Sequence, residues 1–355
     1  MSPYKATGAV LLVWLASPAS LMAEPSPTPG GLLQRSHSMR LEIRNGYVRF
    51  SGLRPGQRAT VTLRCAEGLA NESLIVSHAS ADAASLTYAY HDAQQQWSVE
   101  VQRLGQVLIR RRTKRKDDHA QKDEHLQVEY RQPHSGSVSL VVHDGVSTRT
   151  LTAPDFWRLM LLDGPLCREH LIPMLQTLRP GWRLNDFAEQ IEQALLARSA
   201  TARLLDQQMV NGLVHDLGHP EFRRRQSAER RLRRMGHQAA GHLGHVDRSD
   251  LSAEQRYRLR QIRRALHVPD RDTPERVAAW LIGDPGTWVA LLDREDIQRR
   301  QVAAAHLERL LDRPLNFDAL ADESERTQQL ARLRSEFGLT PPTLISDRAD
   351  QPRQF

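Results

Sequence analysis

Short runs of alternating apolar and polar residues fill the stretch from 39 to 152, a period typical of half-buried β-strands. The first two runs, 40–44 and 47–50, flank Asn45-Gly46, a dipeptide that suits the positive φ angles of a type I′ hairpin turn. Asp144-Gly145 marks a second hairpin turn. Further strands are predicted at 59–63, 85–90, 97–101, 107–111, 126–130, 138–142 and 147–151. Short strands separated by turns in this way predict an antiparallel β-sandwich or barrel.

After Ala153-Pro154 the apolar residues recur every three or four positions, which predicts α-helices. Pro165, Pro220 and Pro274 suit first helical positions, Asn185 suits an N-cap, and Gly236 suits a C-terminal stop. The predicted helices are 155–162, 165–178, 187–198, 202–217, 220–235, 253–266, 274–282, 295–311 and 322–337. The fold class is therefore α+β, with a β domain followed by an all-α half.

The helical half contains an internal repeat with a shift of 75 residues. Each copy reads as a helix, a short break and a second helix, and Tyr257–Ile262 lies in a degenerate copy between them. Helix pairs that recur along a chain cannot bury their apolar faces alone, so they are expected to stack into a curved solenoid. The identical pairs are Val214/Val289, Leu217/Leu292, Arg224/Arg299, Arg225/Arg300, Gln226/Gln301, Ala228/Ala303 and Leu232/Leu307.

The two copies, 213–236 and 288–311, resemble HEAT repeats. The resemblance covers roughly 205–337, with an extension to 155 left open. It implies an armadillo-like α-solenoid whose second helices line a concave protein-binding face. It carries over no catalytic residue. The β half resembles no family that we recognise.

The amino terminus has the features of a secretory signal peptide. Lys5 precedes an apolar run from Gly8 to Ala16, and small residues near Ala23 suit a cleavage point. The run is far shorter than the roughly 20 residues of a membrane-spanning helix, although an uncleaved anchor is an alternative. The predicted division is a signal peptide at 1–23, a disordered linker at 24–38, a β-sandwich-like domain at 39–152, a helical connector at 153–200, a HEAT-like solenoid at 201–337 and a disordered tail at 338–355. Export would place the protein in the periplasm or outside the cell.

The chain has two cysteines, Cys65 and Cys167. In an oxidising compartment they would form either one disulfide, worth a few kcal/mol through its long loop, or two separately buried thiols. Sequence does not decide between these alternatives, because it does not show whether the Cβ atoms approach each other. No pair of cysteines has zinc-ligand spacing, so no metal site is expected.

The 355 residues are 40% apolar and 26% charged, and the formal net charge is +7. Such a composition predicts a soluble protein with room for two domains. The densest basic run, 110–116, lies between two predicted strands and is followed by acidic residues. We interpret it as a solvated hairpin tip, with an acidic polymer as the alternative ligand.

A second group of cations lies along one side of the predicted helix 220–235. On a wheel of 100° per residue starting at Phe222, the core positions Ala228, Leu232 and Met235 share one arc. Five arginines fall on another arc and form an arginine stripe: Arg223, Arg224, Arg230, Arg231 and Arg234. The stripe is predicted either to bind an acidic partner segment or anionic envelope polymer, or, slightly favoured, to be neutralised by acids of adjacent helices.

Two histidine patterns suggest rival functions. His215-Asp216 resembles the His-Asp motif of HD-domain phosphohydrolases, whose metal activates water for phosphoester hydrolysis. However, the second repeat copy has Ala290 and Leu291 at the equivalent positions, and no histidine lies between His170 and His215. The group of His237, His242 and His245 is interleaved with glycines and is read as a loop rather than a metal site.

The sequence therefore predicts an exported, noncatalytic scaffold that uses no cofactor or metal. Its HEAT-like helices would bind a protein partner or an anionic envelope polymer. One alternative is a metal-dependent phosphohydrolase that uses His215 and Asp216. Another is an envelope sensory or chaperone-like module in which the β domain binds the partner.

Overall fold

A computed structural model describes most of the β half and the helical half. The described residues are 27–35, 40–51, 60–67, 70–78, 84–102, 105–114, 125–134, 136–200, 207–236, 239, 243, 246, 251–266, 271–339 and 343–346. The predicted signal peptide lies outside these ranges.

The β half contains one large antiparallel sheet and one separate hairpin. The hairpin consists of β1 (Arg40–Arg44) and β2 (Tyr47–Ser51). The sheet has nine strands in the order β11-β10-β9-β8-β7-β6-β5-β4-β3. Their bounds are β3 Thr60–Glu67, β4 Ala70–His78, β5 Ala84–His91, β6 Gln95–Val101, β7 Val107–Lys114, β8 His125–Gln132, β9 Val138–His143, β10 Ser147–Ala153 and β11 Thr343–Ser346.

Each strand predicted from alternation is present, and the β1–β2 turn has positive φ at Asn45 (53°) and Gly46 (74°), as a type I′ turn requires. The predicted sandwich or barrel is not formed by the described strands. β3 and β11 are the two edges of an open sheet, and the other sheet in the described part of the chain is the small hairpin. The open sheet instead buries its inner face under helices.

One short helix, α1 (Gly31–Arg35), precedes the strands. The helical half consists of short helices joined by short loops. Their bounds are α2 Phe156–Leu162, α3 Gly164–Leu166, a π-helical turn Cys167–Leu171, α4 Ile172–Leu178, α5 Leu184–Ser199, α6 Gln207–Asp216, α7 Phe222–Arg234, α8 Ala253–Leu266, α9 Pro274–Leu281, α10 Pro285–Leu291, α11 Ile297–Leu311 and α12 Glu323–Glu336. Pro274 lies in the first turn of its helix and Gly236 follows α7 with φ +62°, as predicted. Asn185 lies within the first turn of α5 rather than at its N-cap, because the helix begins at Leu184.

The buried apolar side chains of the described residues form two separate hydrophobic cores. The larger joins the inner face of the sheet to α2–α5 and α9–α12, and its largest buried side chains include Trp97, Trp288 and Phe156. The smaller lies within α6–α8 and the residues that follow α7, with Leu213, Leu232 and Ile262 at its centre. The predicted connector, 153–200, thus packs into the core of the sheet.

The β1–β2 turn is fixed by the helical half. Asp272, which precedes α9, accepts hydrogen bonds from the backbone N–H groups of Asn45 (2.7 Å) and Gly46 (2.9 Å) and from Trp157 Nε1 (2.8 Å). Burial raises the pKa of Asp272, and these three donors oppose that rise. A buried carboxylate with three donors is a satisfied structural group.

Two terminal predictions are wrong where the structure describes the chain. Residues 27–35, expected within a disordered linker, include α1, whose Leu32 and Leu33 are buried in the main core. Glu72 on β4 holds this segment, since its Oε1 accepts from Leu32 N–H (2.8 Å) and from the Tyr88 hydroxyl (2.9 Å). Within the predicted disordered tail, 343–346 forms β11 and pairs antiparallel with β10.

Because His306 on α11 is buried, we expect the protein to lose stability in mild acid. Its ring stacks on Trp288 (3.9 Å between centroids) and its Nε2 lies 2.9 Å from the Ile282 carbonyl oxygen. Burial, aided by Arg309, lowers the pKa of His306, so the unfolded chain binds this proton more readily. Its contribution is complete above the ordinary histidine pKa of about 6.5 and falls by up to about 1.4 kcal/mol per pH unit below it.

Urea unfolding of the wild type and H306F at pH 7.5 and 5.5 would measure this effect. We expect the variant to lose less free energy of unfolding between the two pH values than the wild type does. H91Q, at an exposed histidine, is the control. An equal pH dependence in the wild type and H306F would contradict the assignment.

Candidate partner-binding face of helix α7

Helices α6–α8 form a compact unit that carries the basic character of the protein. Residues 207–236 and 251–266 contain 12 arginines and four acids, a net charge of +8, against +7 for the whole chain. The remaining residues therefore sum to about neutrality. This concentration of charge around a small separate core makes the unit the strongest candidate for binding an anionic partner.

The two copies of the internal repeat have the same local architecture. Shifted by 75 residues, the end of α6 at Asp216 falls on the end of α10 at Leu291, and the start of α7 at Phe222 falls on the start of α11 at Ile297. The shared core residues are buried in both copies: Val214, Leu217, Ala228 and Leu232, with Val289, Leu292, Ala303 and Leu307. Both copies are therefore helical hairpins with matching core positions.

A repeated arginine fixes the break in both hairpins. Arg225 Nη1 donates to the carbonyl oxygens of His219 (2.8 Å) and Pro220 (2.7 Å). Its counterpart Arg300 donates from Nη1 to Arg294 (2.8 Å) and Glu295 (2.9 Å), which are the equivalent positions. The identity of this arginine in both copies thus has a structural cause, because the guanidinium satisfies loop carbonyls.

The arginine stripe lies on the exposed part of α7. Ala228 and Leu232 are buried, whereas Arg223, Arg224, Arg230, Arg231 and Arg234 are exposed. Arg223, Arg230 and Arg234 point away from the core, and Arg224 and Arg231 lie on one flank. The stripe runs over the 12 residues from Arg223 to Arg234, and their 11 helical rises give a length of about 17 Å along the helix axis.

Two acids of the unit, Glu229 and Glu254, form ion pairs on the opposite flank of α7, where α8 packs. Glu229 pairs with Arg233 (2.6 Å) and with Arg258 of α8 (2.7 Å). Glu254 of α8 pairs with Arg258 (2.6 Å) and approaches Arg225 (3.7 Å). Among the described residues, the acids of adjacent helices therefore do not neutralise the stripe, contrary to the favoured expectation.

Only one acid approaches the stripe in the described part of the chain. Arg224 Nε lies 4.0 Å from Glu221 Oε2, and its Nη1 lies 3.1 Å from His219 Nε2. The pair is exposed on both sides, so it contributes little. The guanidinium groups of the stripe remain accessible to an external anion.

In the second repeat copy, the equivalent flank of α11 is covered by another helix, α5. Arg299, the counterpart of Arg224, donates to Glu192 of α5 at 2.8 Å. Arg309, the counterpart of Arg234, donates to the Ser199 carbonyl oxygen at the end of α5 (2.5 Å). His306, the counterpart of Arg231, is buried near the same end. In this copy α5, an acid-bearing helix, covers the flank that α7 leaves exposed.

Two exposed aromatic residues lie on the α6–α8 unit. Phe222 is 56% exposed, and its ring lies 5.6 Å from the guanidinium group of Arg225 and 6.0 Å from that of Arg258. Tyr257 on α8 is 52% exposed. The helical wheel could have found them, because both stand at positions outside the apolar arc. Sequence reasoning missed them because it followed charge alone.

The His215-Asp216 pair does not form a metal centre with other described residues. His215 is exposed at the end of α6, and no group of three metal-ligating side chains occurs in the described ranges. The carbonyl oxygens of Val214 and His215 accept from Gln255 Nε2 of α8 (3.1 and 3.3 Å), which closes the end of α6. His237, His242 and His245 lie outside the described residues.

The other sites singled out from the sequence are the two cysteines and the basic run 110–116. Cys167 is a free, buried thiol whose Sγ lies 3.6 Å from the Leu159 carbonyl oxygen, and burial raises its pKa. The side chain of Cys65 lies outside the described residues. The start of the basic run, 110–114, belongs to strand β7 rather than a hairpin tip, and Arg110 pairs with Glu129 at 2.7 Å.

Comparison with protein-family models, curated proteins and solved structures finds no match. Within the described residues, each helix is too short or too polar to cross a bilayer. The function is therefore inferred from the residues of this chain.

Proposed function

We propose that the protein is a noncatalytic scaffold of HEAT-like helical hairpins that binds an acidic helical segment of a partner protein on the arginine stripe of α7. The observation that carries the proposal is the exposed, unneutralised stripe on a unit of net charge +8. Arginine suits this role because its planar guanidinium binds carboxylates through two parallel hydrogen bonds.

The contact of α5 with α11 supports a helical partner. Glu192 of α5 is bound there by Arg294 and Arg299, both at 2.8 Å. The α11 residues that contact α5 are Arg299, His306 and Arg309. The stripe has an arginine at each of the three equivalent positions: Arg224, Arg231 and Arg234. A partner helix with acids spaced by three or four residues would meet Arg224, Arg231 and Arg234 on one face. The HEAT resemblance also favours a protein over a polymer.

Substitution of the three stripe residues that would meet the partner helix tests the proposal. The variant R224Q/R231Q/R234Q removes three exposed cations while it leaves Ala228 and Leu232 in the core. Each exposed charge pair contributes about 0.2–1 kcal/mol, so we expect binding to weaken by about 3- to 100-fold at low salt, with a smaller salt dependence. Fluorescence anisotropy with a labelled, alanine-rich helical peptide that carries glutamates at i, i+4 and i+7 measures this loss.

The control variant R112Q/R183Q/R313Q removes the same charge from exposed residues elsewhere. We expect it to bind the peptide as the wild type does at 50 and 200 mM NaCl. Inorganic polyphosphate serves as a second probe. Equal losses in both variants would overturn the proposed face, and binding of polyphosphate without the peptide would favour the anionic-polymer alternative.

Export is part of the proposal, since the predicted signal peptide would direct the chain to the periplasm or the exterior. Amino-terminal sequencing of the mature protein would show cleavage after Ala23. A mature chain that retains Lys5 would contradict it.

A further inference from the structure

The inner face of the large sheet has one unusual transverse row. In-register pairing aligns seven residues across the strands from β4 to β10: Glu72, Tyr90, Trp97, Arg111, Val128, Val142 and Arg149. The adjacent row is entirely apolar or aromatic and buried: Leu74, Tyr88, Val99, Ile109, Tyr130, Leu140 and Leu151. The half-buried Arg111 and the exposed Arg149 thus lie on the face of the sheet that packs against the helices. A half-buried cation on such a face is rare.

Arg111 is a cation without a carboxylate partner among the described residues. Its guanidinium lies over the Trp97 ring at 5.2 Å, and its Nε is buried without a hydrogen-bond acceptor. Burial lowers the pKa of Arg111, and no acid opposes this effect. A half-buried guanidinium in this state gains most from an anion supplied from outside.

The two arginines flank a cleft of about 400 Å³ whose floor includes Val142. Three inter-strand steps separate Arg111 from Arg149, about 14 Å between backbones. Thr113, two residues after Arg111 on the same face of β7, also lines the cleft, and its buried Oγ1 has no hydrogen-bond partner in the described residues. Unsatisfied buried polar groups are uncommon and call for an explanation.

His170 on the π-helical turn Cys167–Leu171 forms the other wall of the cleft. Its side chain is 13% exposed, and burial lowers its pKa; Glu169 and Asp144 oppose this, whereas Arg149 and Arg111 add to it. His170 is therefore neutral at neutral pH and can donate a hydrogen bond. Single π-helical turns of this kind occur often at functional sites.

The acids at the cleft do not neutralise its cations. Asp144 is already occupied by its own hairpin, because it accepts from Val146 N–H (3.0 Å), Ser147 N–H (2.7 Å) and the Ser147 hydroxyl (2.9 Å). Glu169 has a side chain that is 73% exposed and lies 3.6 Å from His170 Nε2. Arg111, Arg149 and the nearby Lys114 leave the cleft net positive.

We propose that this cleft is a binding site for a small molecule that carries a carboxylate or phosphate group, held by Arg111, Arg149, Thr113 and His170. The cleft volume suits a small metabolite rather than a polymer. The site is separate from the α7 stripe and does not depend on its function. It would give the β half a ligand-binding role of its own.

Isothermal titration calorimetry of the full chain tests the site with inorganic phosphate and with succinate as probes, at constant ionic strength in a buffer free of both. We expect saturable one-site binding of at least one probe. R149Q and T113V should each weaken it about tenfold or more, since a hydrogen bond to a charged group is lost. E169Q should strengthen it, because a negative charge leaves the rim.

R112Q is the matched control, because Arg112 belongs to the same strand but faces away from the cleft and is exposed. It should bind as the wild type does, as should the α7 variant R224Q/R231Q/R234Q. The absence of saturable heat with both probes would overturn the site. So would unchanged binding in R149Q or T113V, or a loss in R112Q equal to that in R149Q.

Discussion

Replacement of Arg158 by alanine is expected to lower the free energy of unfolding by about 3–5 kcal/mol. The side chain of Arg158 is only 7% exposed and lies between two carboxylates. Its Nη1 bonds to Asp155, and its Nε lies 3.1 Å from Asp284 Oδ2. Burial opposes the charge, but the two carboxylates outweigh it and raise the pKa of Arg158.

The cost is large because the two acids join different parts of the molecule. Asp155 caps α2 and packs against Gly46 in the β1–β2 turn, where an added Cβ would lie 2.8 Å from the Asp155 Cβ. Asp284 caps α10 and accepts from Thr287 N–H at 2.9 Å. Without the guanidinium, two buried or half-buried negative charges would remain with no cation between them.

Guanidinium-induced unfolding of R158A and R183A would measure the difference. Arg183 is 83% exposed and pairs with Asp186, so its loss should cost about 1 kcal/mol or less. The variant D155N/R158M/D284N removes all three charges and keeps side chains that can cap helices. We expect it to be more stable than R158A. A loss in R158A no greater than that in R183A would show that the buried triad contributes little.

Local patterns in the sequence were enough to predict most strands and helices. The β1–β2 hairpin could be predicted because Asn45-Gly46 specifies its own turn, and α9 because Thr273 and Pro274 mark its start. β4 was missed because Leu74, Ile75 and Val76 are consecutive apolar residues, which conceals the period of two. Ile75 is in fact 37% exposed, on the outer face of the sheet.

Long-range contacts explain what the sequence could not predict. The docking of 27–35 depends on Glu72, which lies 40 residues from Leu32. The position of β11 depends on the free edge of β10, and nothing in 343–346 alone specifies that partner. For the candidate site, the wheel placed the stripe correctly on the exposed face. The wheel could not show that Glu229 and Glu254 form ion pairs with Arg258, because these pairs depend on how α8 packs against α7.

The separate core of α6–α8 predicts that Leu232→Ala unfolds this unit while the rest of the protein stays folded. Leu232 is fully buried, and its truncation should cost about 2–5 kcal/mol. A unit of about 60 residues is only marginally stable, so this cost is comparable with its whole stability. None of its buried apolar residues belongs to the larger core.

The internal repeat supplies a matched control at the equivalent position. Leu307 is also fully buried, but it belongs to the core shared with the sheet. Leu307→Ala should therefore lower the stability of the main body by a similar amount and leave α6–α8 protected. Hydrogen exchange read by mass spectrometry distinguishes the two results, because L232A should lose protection in α6–α8 alone.

The same variant connects stability with the proposed function. If α7 must be folded to align its arginines, L232A should lose binding of the acidic helical peptide although it retains every stripe residue. L307A should keep this binding. The comparison is made at a temperature where the larger core is folded in both variants. Loss of protection throughout L232A would show that the two cores unfold as one. Full peptide binding by an unprotected α7 would show that charge density alone, and not the helix, recognises the partner.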